Sequence, residues 1–153
     1  MNSVAIAIGS NLGDRESHIR FAFDRLHLLL ADIRTSSILE TEPVGVTGVQ
    51  KRFLNAAAAG ATSLPPDALL DALLEIERER GRERPYALAP RTLDLDLILY
   101  GDRVIETPAL AVPHPRFRER LFVLDPLAEI LPGGVDPVSG KTIRELARAA
   151  RRP

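Results

Sequence analysis

Residues 92–100 read TLDLDLILY, an alternation of leucine with aspartate. A period of two belongs to an extended strand, on which successive side chains point to opposite faces and residues two apart lie about 6.6 Å apart. The pattern predicts a strand with Leu93, Leu95, Leu97 and Leu99 on a core face and Asp94 and Asp96 on the other. Asp is poorly suited to strands, and two like charges this close repel unless solvent or a cation compensates them. Hard oxygen donors so placed suit Mg²⁺, which is held by one or two carboxylates together with substrate phosphates. A strand with one wet face would carry the same letters, so the DxD pattern alone leaves both readings open.

Around this strand, helix and strand signals alternate. SVAIAIGS predicts a first strand stopped by Gly9. In the next stretch Ile19, Phe23, Leu26 and Leu30 recur at steps of three and four, with Ala22 and Leu29 beside them and Asp14 as cap, which predicts a helix. A second strand is expected over TSSILETE (35–42) and a third over RFLNAAAAGAT (52–62), joined by a Pro/Gly loop. Leu69, Leu73 and Ile76 stripe a second helix, entered through two prolines and left at Gly81. The DxD strand follows. A further helix is expected after VPHPRF, and Thr142 with Glu145 has capping-box spacing for a last one. The order β, α, β, β, α, β is the split pattern of a ferredoxin-like fold, an α+β class with a mainly antiparallel sheet flanked by helices. The alanine run in the third strand is read as a strand packed tightly under a helix.

With 153 residues, the chain suits a single domain spanning 1–153. Twenty basic against twenty-one acidic residues give a net charge of −1, so neither nucleic acid nor membrane is an expected partner. Cysteine is absent, which excludes disulfides and thiolate metal sites. The amino-terminal residues have no basic leader, and no apolar run approaches the roughly 20 residues of a bilayer span. These features predict a cytoplasmic protein, and the lack of a long unpartnered apolar stripe predicts a monomer.

Positive charge lies close to the aspartates in sequence. Arg82, Arg84 and Arg91 precede them across a Pro-containing loop, and the planar fork of Arg suits phosphate. Arg78 and Arg80 are read instead as partners in ordinary helical ion pairs. His114 stands between two prolines that stiffen its backbone, with Arg116, Arg118 and Arg120 following; it is either a structural histidine or one facing a phosphate. His18 and His27 are read as helix-surface or core residues. The chain has no P-loop sequence and no GxGxxG.

The run GRERPYALAPRTLDLDLILYGD resembles the signature of the 6-hydroxymethyl-7,8-dihydropterin pyrophosphokinases, and AIAIGSNLGDR, TEPVG, FLNAA and VPHPRF are similar to that family in the same order. The resemblance runs from about residue 4 to about 130. It implies an ATP-dependent enzyme of folate biosynthesis that moves pyrophosphate from ATP to the pterin hydroxymethyl oxygen and releases AMP. It further implies two Mg²⁺ ions on Asp94 and Asp96, catalytic roles for both aspartates with Arg82 and Arg91, and a mobile lid between those arginines. Thr41, Val44, Phe53, Asn55, Asp94 and Phe122 would meet the pterin. Glu77, Arg82, Arg84, Arg91, Leu97, His114 and Arg120 would meet ATP.

The chain departs from well-known relatives at Leu88, where they carry Trp in a lid one residue longer, and at Leu74, Ala109, Ala111 and Pro115, which replace polar or aromatic residues near the nucleotide. Two other functions share some of these features. A noncatalytic RNA-binding module would display aromatics on its sheet, but aromatics are 5% of this chain. An ordinary kinase or nucleotide hydrolase would keep the metal site and attack a different phosphorus.

Overall fold

The computed structural model describes residues 1–41, 52–81 and 92–152. Strand β1 spans Asn2–Ser10, followed by α1 (Arg15–Leu29), β2 (Ala31–Thr35), β3 (Leu39–Thr41), β4 (Phe53–Thr62), α2 (Pro66–Glu79) and β5 (Asp94–Tyr100). A small hairpin, β6 (Ile105–Glu106) and β7 (Ala111–Val112), leads through a 3-10 turn at Phe117–Glu119 to α3 (Leu121–Ile130) and α4 (Ile143–Arg151). The main sheet has the order β2, β4, β1, β5, with β3 also on β4, and its pairs are antiparallel. Each helical crossover, α1 and α2, skips one strand, which is the ferredoxin-like arrangement predicted.

Both faces of the sheet are covered. Val4, Ile6 and Ile8 of β1, Ala56 and Ala58 of β4, and Leu93, Leu95 and Leu97 pack with Ile19, Ala22 and Leu26 of α1 and Leu69, Leu73 and Ile76 of α2. The alternate residues Ala5, Ala7, Ala57 and Ala59 pack with Phe117, with Leu124 and Leu127 of α3, and with Ile143 and Leu146 of α4. The alanine run is therefore a central strand whose small side chains let helices approach on both sides. Fully burying a larger side chain such as Ile6 or Leu73 contributes about 1.5–3 kcal/mol.

The helix ends follow local chemistry. Asp14 accepts the N–H of Ser17 at the start of α1, and Thr142 and Glu145 form the reciprocal capping box of α4. Gly81, with φ of +75°, follows α2 in the left-handed conformation that glycine adopts without penalty.

Three expectations are corrected. The strand expected at 35–42 is narrower than that: β3 covers only Leu39–Thr41, and β2 (Ala31–Thr35) lies almost wholly before the expected start. Between them Ser36 replaces strand pairing with its own bonds, its N–H donating to the Ala57 carbonyl and its hydroxyl accepting the Ala57 N–H at 2.8 Å. The first strand does not stop at Gly9 but pairs through Ser10. Leu99 does not share the face of Leu93, Leu95 and Leu97. The β1–β5 register shifts between Ala5 and Ile6, leaving Ile98 as an extra residue, and Ile98 and Leu99 both enter the α3/α4 core. A bulge of this kind breaks the period of two.

Candidate active site

The register of the sheet brings Leu39, Asn55, Gly9 and Asp94 into one row across β3, β4, β1 and β5. The next row along places Asp96 opposite Ala7, which pairs with Ala57. Ala7 and Ala57 point into the α3/α4 side, so Asn55, Asp94 and Asp96 point to that side as well. Both aspartates are half-buried.

Gly9 lies between the polar side chains of its row. A Cβ at Gly9 would come to 3.3 Å from Asn55 Oδ1 and 3.6 Å from Phe53 Cδ1, so the missing side chain keeps a gap between Asn55 and Asp94. Asn55 is buried, and its Nδ2 donates to Thr41 Oγ1 at 2.5 Å. That bond holds the amide in a single orientation with Oδ1 over Gly9. Phe53 and Phe122 are half-buried; Phe53 shares the Asn55 face of β4, and Phe122 lies in the first turn of α3.

The segment after β7 supplies a second wall. The Val112–Pro113 peptide is cis, and the His114 N–H donates to the Ile98 carbonyl at 3.0 Å, which fixes the histidine beside the bulge of β5. The Arg116 N–H donates to His114 Nδ1 at 3.3 Å, so the neutral ring carries its proton on Nε2. Burial pushes the imidazole below its ordinary value, the Arg120 guanidinium lowers it further, and Asp94 pulls the other way. The three arginines of this segment divide by partner. Arg116 pairs with Glu119 at 3.1 Å, Arg118 pairs with the fully buried Asp136, and the Arg120 guanidinium lies 5.7 Å from the centre of the Phe122 ring.

Thr41, Phe53, Asn55, Asp94, Asp96, His114, Arg120 and Phe122 thus share one side of the sheet or the segment bordering it. Leu97 does not: its side chain is buried in the α1/α2 core, and any contact it makes with a nucleotide comes through its backbone. Glu77 is likewise buried, with Oε2 accepting the Leu95 N–H at 2.7 Å. Val44, Arg82, Arg84, Arg91 and the lid, Leu88 included, lie outside the described residues. Sequence reasoning missed Gly9, read only as a strand end, and the bond from Glu77 to the backbone between the aspartates. The juxtaposition of AIAIG with DLD was visible only to pairing, not to spacing.

Among the described residues no three His, Cys, Asp or Glu side chains gather into a metal cage. Two carboxylates on one strand face, completed by ligand oxygens and water, are instead the donor set Mg²⁺ takes beside a bound phosphate.

A family model described as 7,8-dihydro-6-hydroxymethylpterin-pyrophosphokinase (HPPK) matches residues 5–132. The 2-amino-4-hydroxy-6-hydroxymethyldihydropteridine pyrophosphokinase of Bacillus subtilis is 51% identical over 133 residues, covering 85% of this chain and 79% of that protein. A mitochondrial folate synthesis bifunctional protein of Arabidopsis thaliana is 45% identical over 139 residues, covering 88% of this chain and 24% of that protein. A crystal structure of Plasmodium falciparum HPPK-DHPS superposes with a TM-score of 0.78 at 15% identity, over 97% of this chain and 45% of that one. The chain thus spans less than half the length of that solved protein, and the likeness at this identity is one of fold.

Proposed function

The chain belongs to the 7,8-dihydro-6-hydroxymethylpterin-pyrophosphokinase family, a family of folate-biosynthesis enzymes, and we propose that it transfers the pyrophosphoryl group of ATP to the hydroxymethyl oxygen of 6-hydroxymethyl-7,8-dihydropterin and releases AMP. The observation that carries this reading is the row Asn55, Gly9, Asp94: an oriented amide and a carboxylate on one face, with a gap between them that only glycine leaves.

The Asn55 amide offers the donor and acceptor character that matches an aminopyrimidinone edge. Phe53 and Phe122 supply faces for the bicycle, and Thr41 holds the amide in register. The hydroxymethyl group would then extend toward Asp94 and Asp96. These two carboxylates would hold two Mg²⁺ ions, which when bound neutralise the ATP phosphates and activate the hydroxyl. The pterin oxygen forms a bond to the β-phosphorus, the bond from that phosphorus to the α–β bridging oxygen breaks, AMP carries the electron pair away, and the hydroxyl proton passes to solvent. His114, presenting Nε2–H, and Arg120 would donate to phosphate oxygens, and Arg82, Arg84 and Arg91 would add positive charge for the phosphates. Positioning and charge neutralisation are most of what this chemistry requires.

The same reading takes residues 1–153 as one domain acting as a cytoplasmic monomer. Among the described residues both faces of its sheet pack against helices of the same chain, and no helix there is long and apolar enough to cross a membrane.

The test is product analysis of the purified protein with Mg-ATP, with and without the pterin. Pterin-dependent AMP together with a pyrophosphorylated pterin is expected. ADP, or AMP formed equally without pterin, would replace this reading with an ordinary kinase or a hydrolase.

A further inference from the structure

Glu is almost never fully buried unless it is held by partners, and Glu77 is 2% exposed. Its neighbours on α2 lie further out: Glu75 pairs with Arg78 at the surface, and Glu79 reaches Arg25. Glu77 turns inward beside Ile76 and places Oε2 at 2.7 Å from the Leu95 nitrogen. Leu95 is the residue between Asp94 and Asp96, and among the described residues β5 ends the sheet. An edge strand that has no second neighbour leaves backbone donors to be satisfied by other means. Here a side-chain oxygen from a helix does so at the one residue flanked by both aspartates. Three residues along, the His114 N–H holds the Ile98 carbonyl. The stretch from Leu95 to Ile98 is thus pinned at both ends from outside the sheet.

We infer that Glu77 is a positioning residue: it fixes the edge of β5 at Leu95 and so sets the direction and spacing in which Asp94 and Asp96 are presented. This rests on the proposed role of the two aspartates in holding metal-bound ATP, and it gives Glu77 a task other than direct contact with the nucleotide. A carboxylate at the backbone of the strand holds both flanking side chains at once, because adjacent Cβ directions follow from the same peptide planes.

The test is amide hydrogen exchange of the isotopically labelled full chain, followed by calorimetric titration with ATP in EDTA and in graded Mg²⁺. In Glu77→Ala the Leu95 amide is expected to exchange about tenfold faster or more, with Ile6 and Ala57 unchanged. The Mg²⁺ concentration needed for tight nucleotide binding should rise several-fold while ATP affinity in EDTA stays the same. Glu77→Gln keeps an acceptor of the same reach and should restore Leu95 protection. Glu77→Asp, one methylene short, should not, which supplies a second variant should alanine fail to fold. Unchanged Leu95 exchange in Glu77→Ala and Glu77→Asp would overturn the positioning role. Equal loss of ATP affinity with and without Mg²⁺ would do so too, in favour of direct nucleotide contact. Absence of pterin-dependent AMP from the wild-type chain would overturn the functional reading by itself, whatever Leu95 shows.

Discussion

Asn55 and Thr41, on neighbouring strands β4 and β3, are joined by a hydrogen bond of 2.5 Å from Nδ2 to Oγ1, and this bond aims Oδ1 over the bare backbone of Gly9. A free amide has two orientations of similar energy; a buried one with a donor already committed has one. In the proposed reading the pair acts as a single recognition element. Asn55→Ala should weaken pterin binding at least tenfold, on the order of 1.4 kcal/mol or more, with ATP binding little changed. Thr41→Val should produce a smaller loss in the same direction. Calorimetric titration with each ligand separates the two, and equal losses for pterin and ATP would remove Asn55 from the pterin edge.

Gly9→Ala should act on the same ligand through space alone. The added methyl group meets Asn55 Oδ1 at 3.3 Å and Phe53 Cδ1 at 3.6 Å, so the fold accommodates it with a shift of a few tenths of an ångström. The gap in the row closes, and the Michaelis constant for pterin should rise while thermal stability changes little. A variant with wild-type pterin affinity would show that the gap is not occupied.

Asp94→Ala and Asp96→Ala should each abolish turnover, by about a thousandfold or more if metal-held charge neutralisation accounts for most of the acceleration. Neither side chain is part of the apolar clusters, so the variants should fold, as circular dichroism would verify. Near-normal turnover in either would remove metal ligation from the mechanism.

Arg118 and Asp136 hold the wall of the site to the turn before α4. Arg118 donates to Asp136 through Nε at 2.5 Å and Nη2 at 2.9 Å, while Val138 N–H and the Ser139 hydroxyl also donate to the carboxylate. Burial by itself raises the Asp136 carboxyl, but the bonds from Arg118, Ser139 and Val138 outweigh it and hold the group well below the usual carboxylate range. Asp136→Ala leaves a guanidinium without its partner, and a loss on the order of 3 kcal/mol of stability is expected. Chemical denaturation measures it; a midpoint unchanged within error would show that the pair contributes nothing.

His18 should make stability fall in mild acid. Arg80 donates to its Nδ1 from both Nε, at 3.0 Å, and Nη2, at 2.7 Å, so this nitrogen must be unprotonated. Burial lowers the ring from its ordinary 6.5, Arg80 lowers it further, and Asp14 and the Leu12 backbone oppose both. The unfolded chain then takes up the proton at higher pH than the folded one. Stability from this group is complete above 6.5 and is lost as pH falls from there through the lowered folded value. The melting temperature should drop as pH falls through and below the ordinary 6.5, and His18→Gln should lessen the drop. An unaltered slope in that variant would assign the pH dependence elsewhere.

Some of this was legible before any fold was known. The period of two in TLDLDLILY placed both aspartates on one strand face, the three-and-four spacing of Ile19, Phe23 and Leu26 marked the side of α1 that packs on the sheet, with Phe23 only half-buried there, and Thr142 with Glu145 marked the start of α4. Each depends on neighbours within one turn or one strand, where backbone geometry alone relates residues. The bulge at Ile98, the break at Ser36 and the inward turn of Glu77 were not legible, because each is decided by a partner far along the chain.

What the sequence by itself determined was therefore local: which segments extend, which coil, and which faces carry carbon or carboxylate. The identity of the family was written there too, as an order of motifs. Only the tertiary structure decided that Gly9 separates Asn55 from Asp94, that Leu97 faces away from them, and that Leu95 is held by Glu77. Register between strands is set by the packing of two whole cores and the completion of every buried backbone bond, and no window of adjacent residues contains that sum.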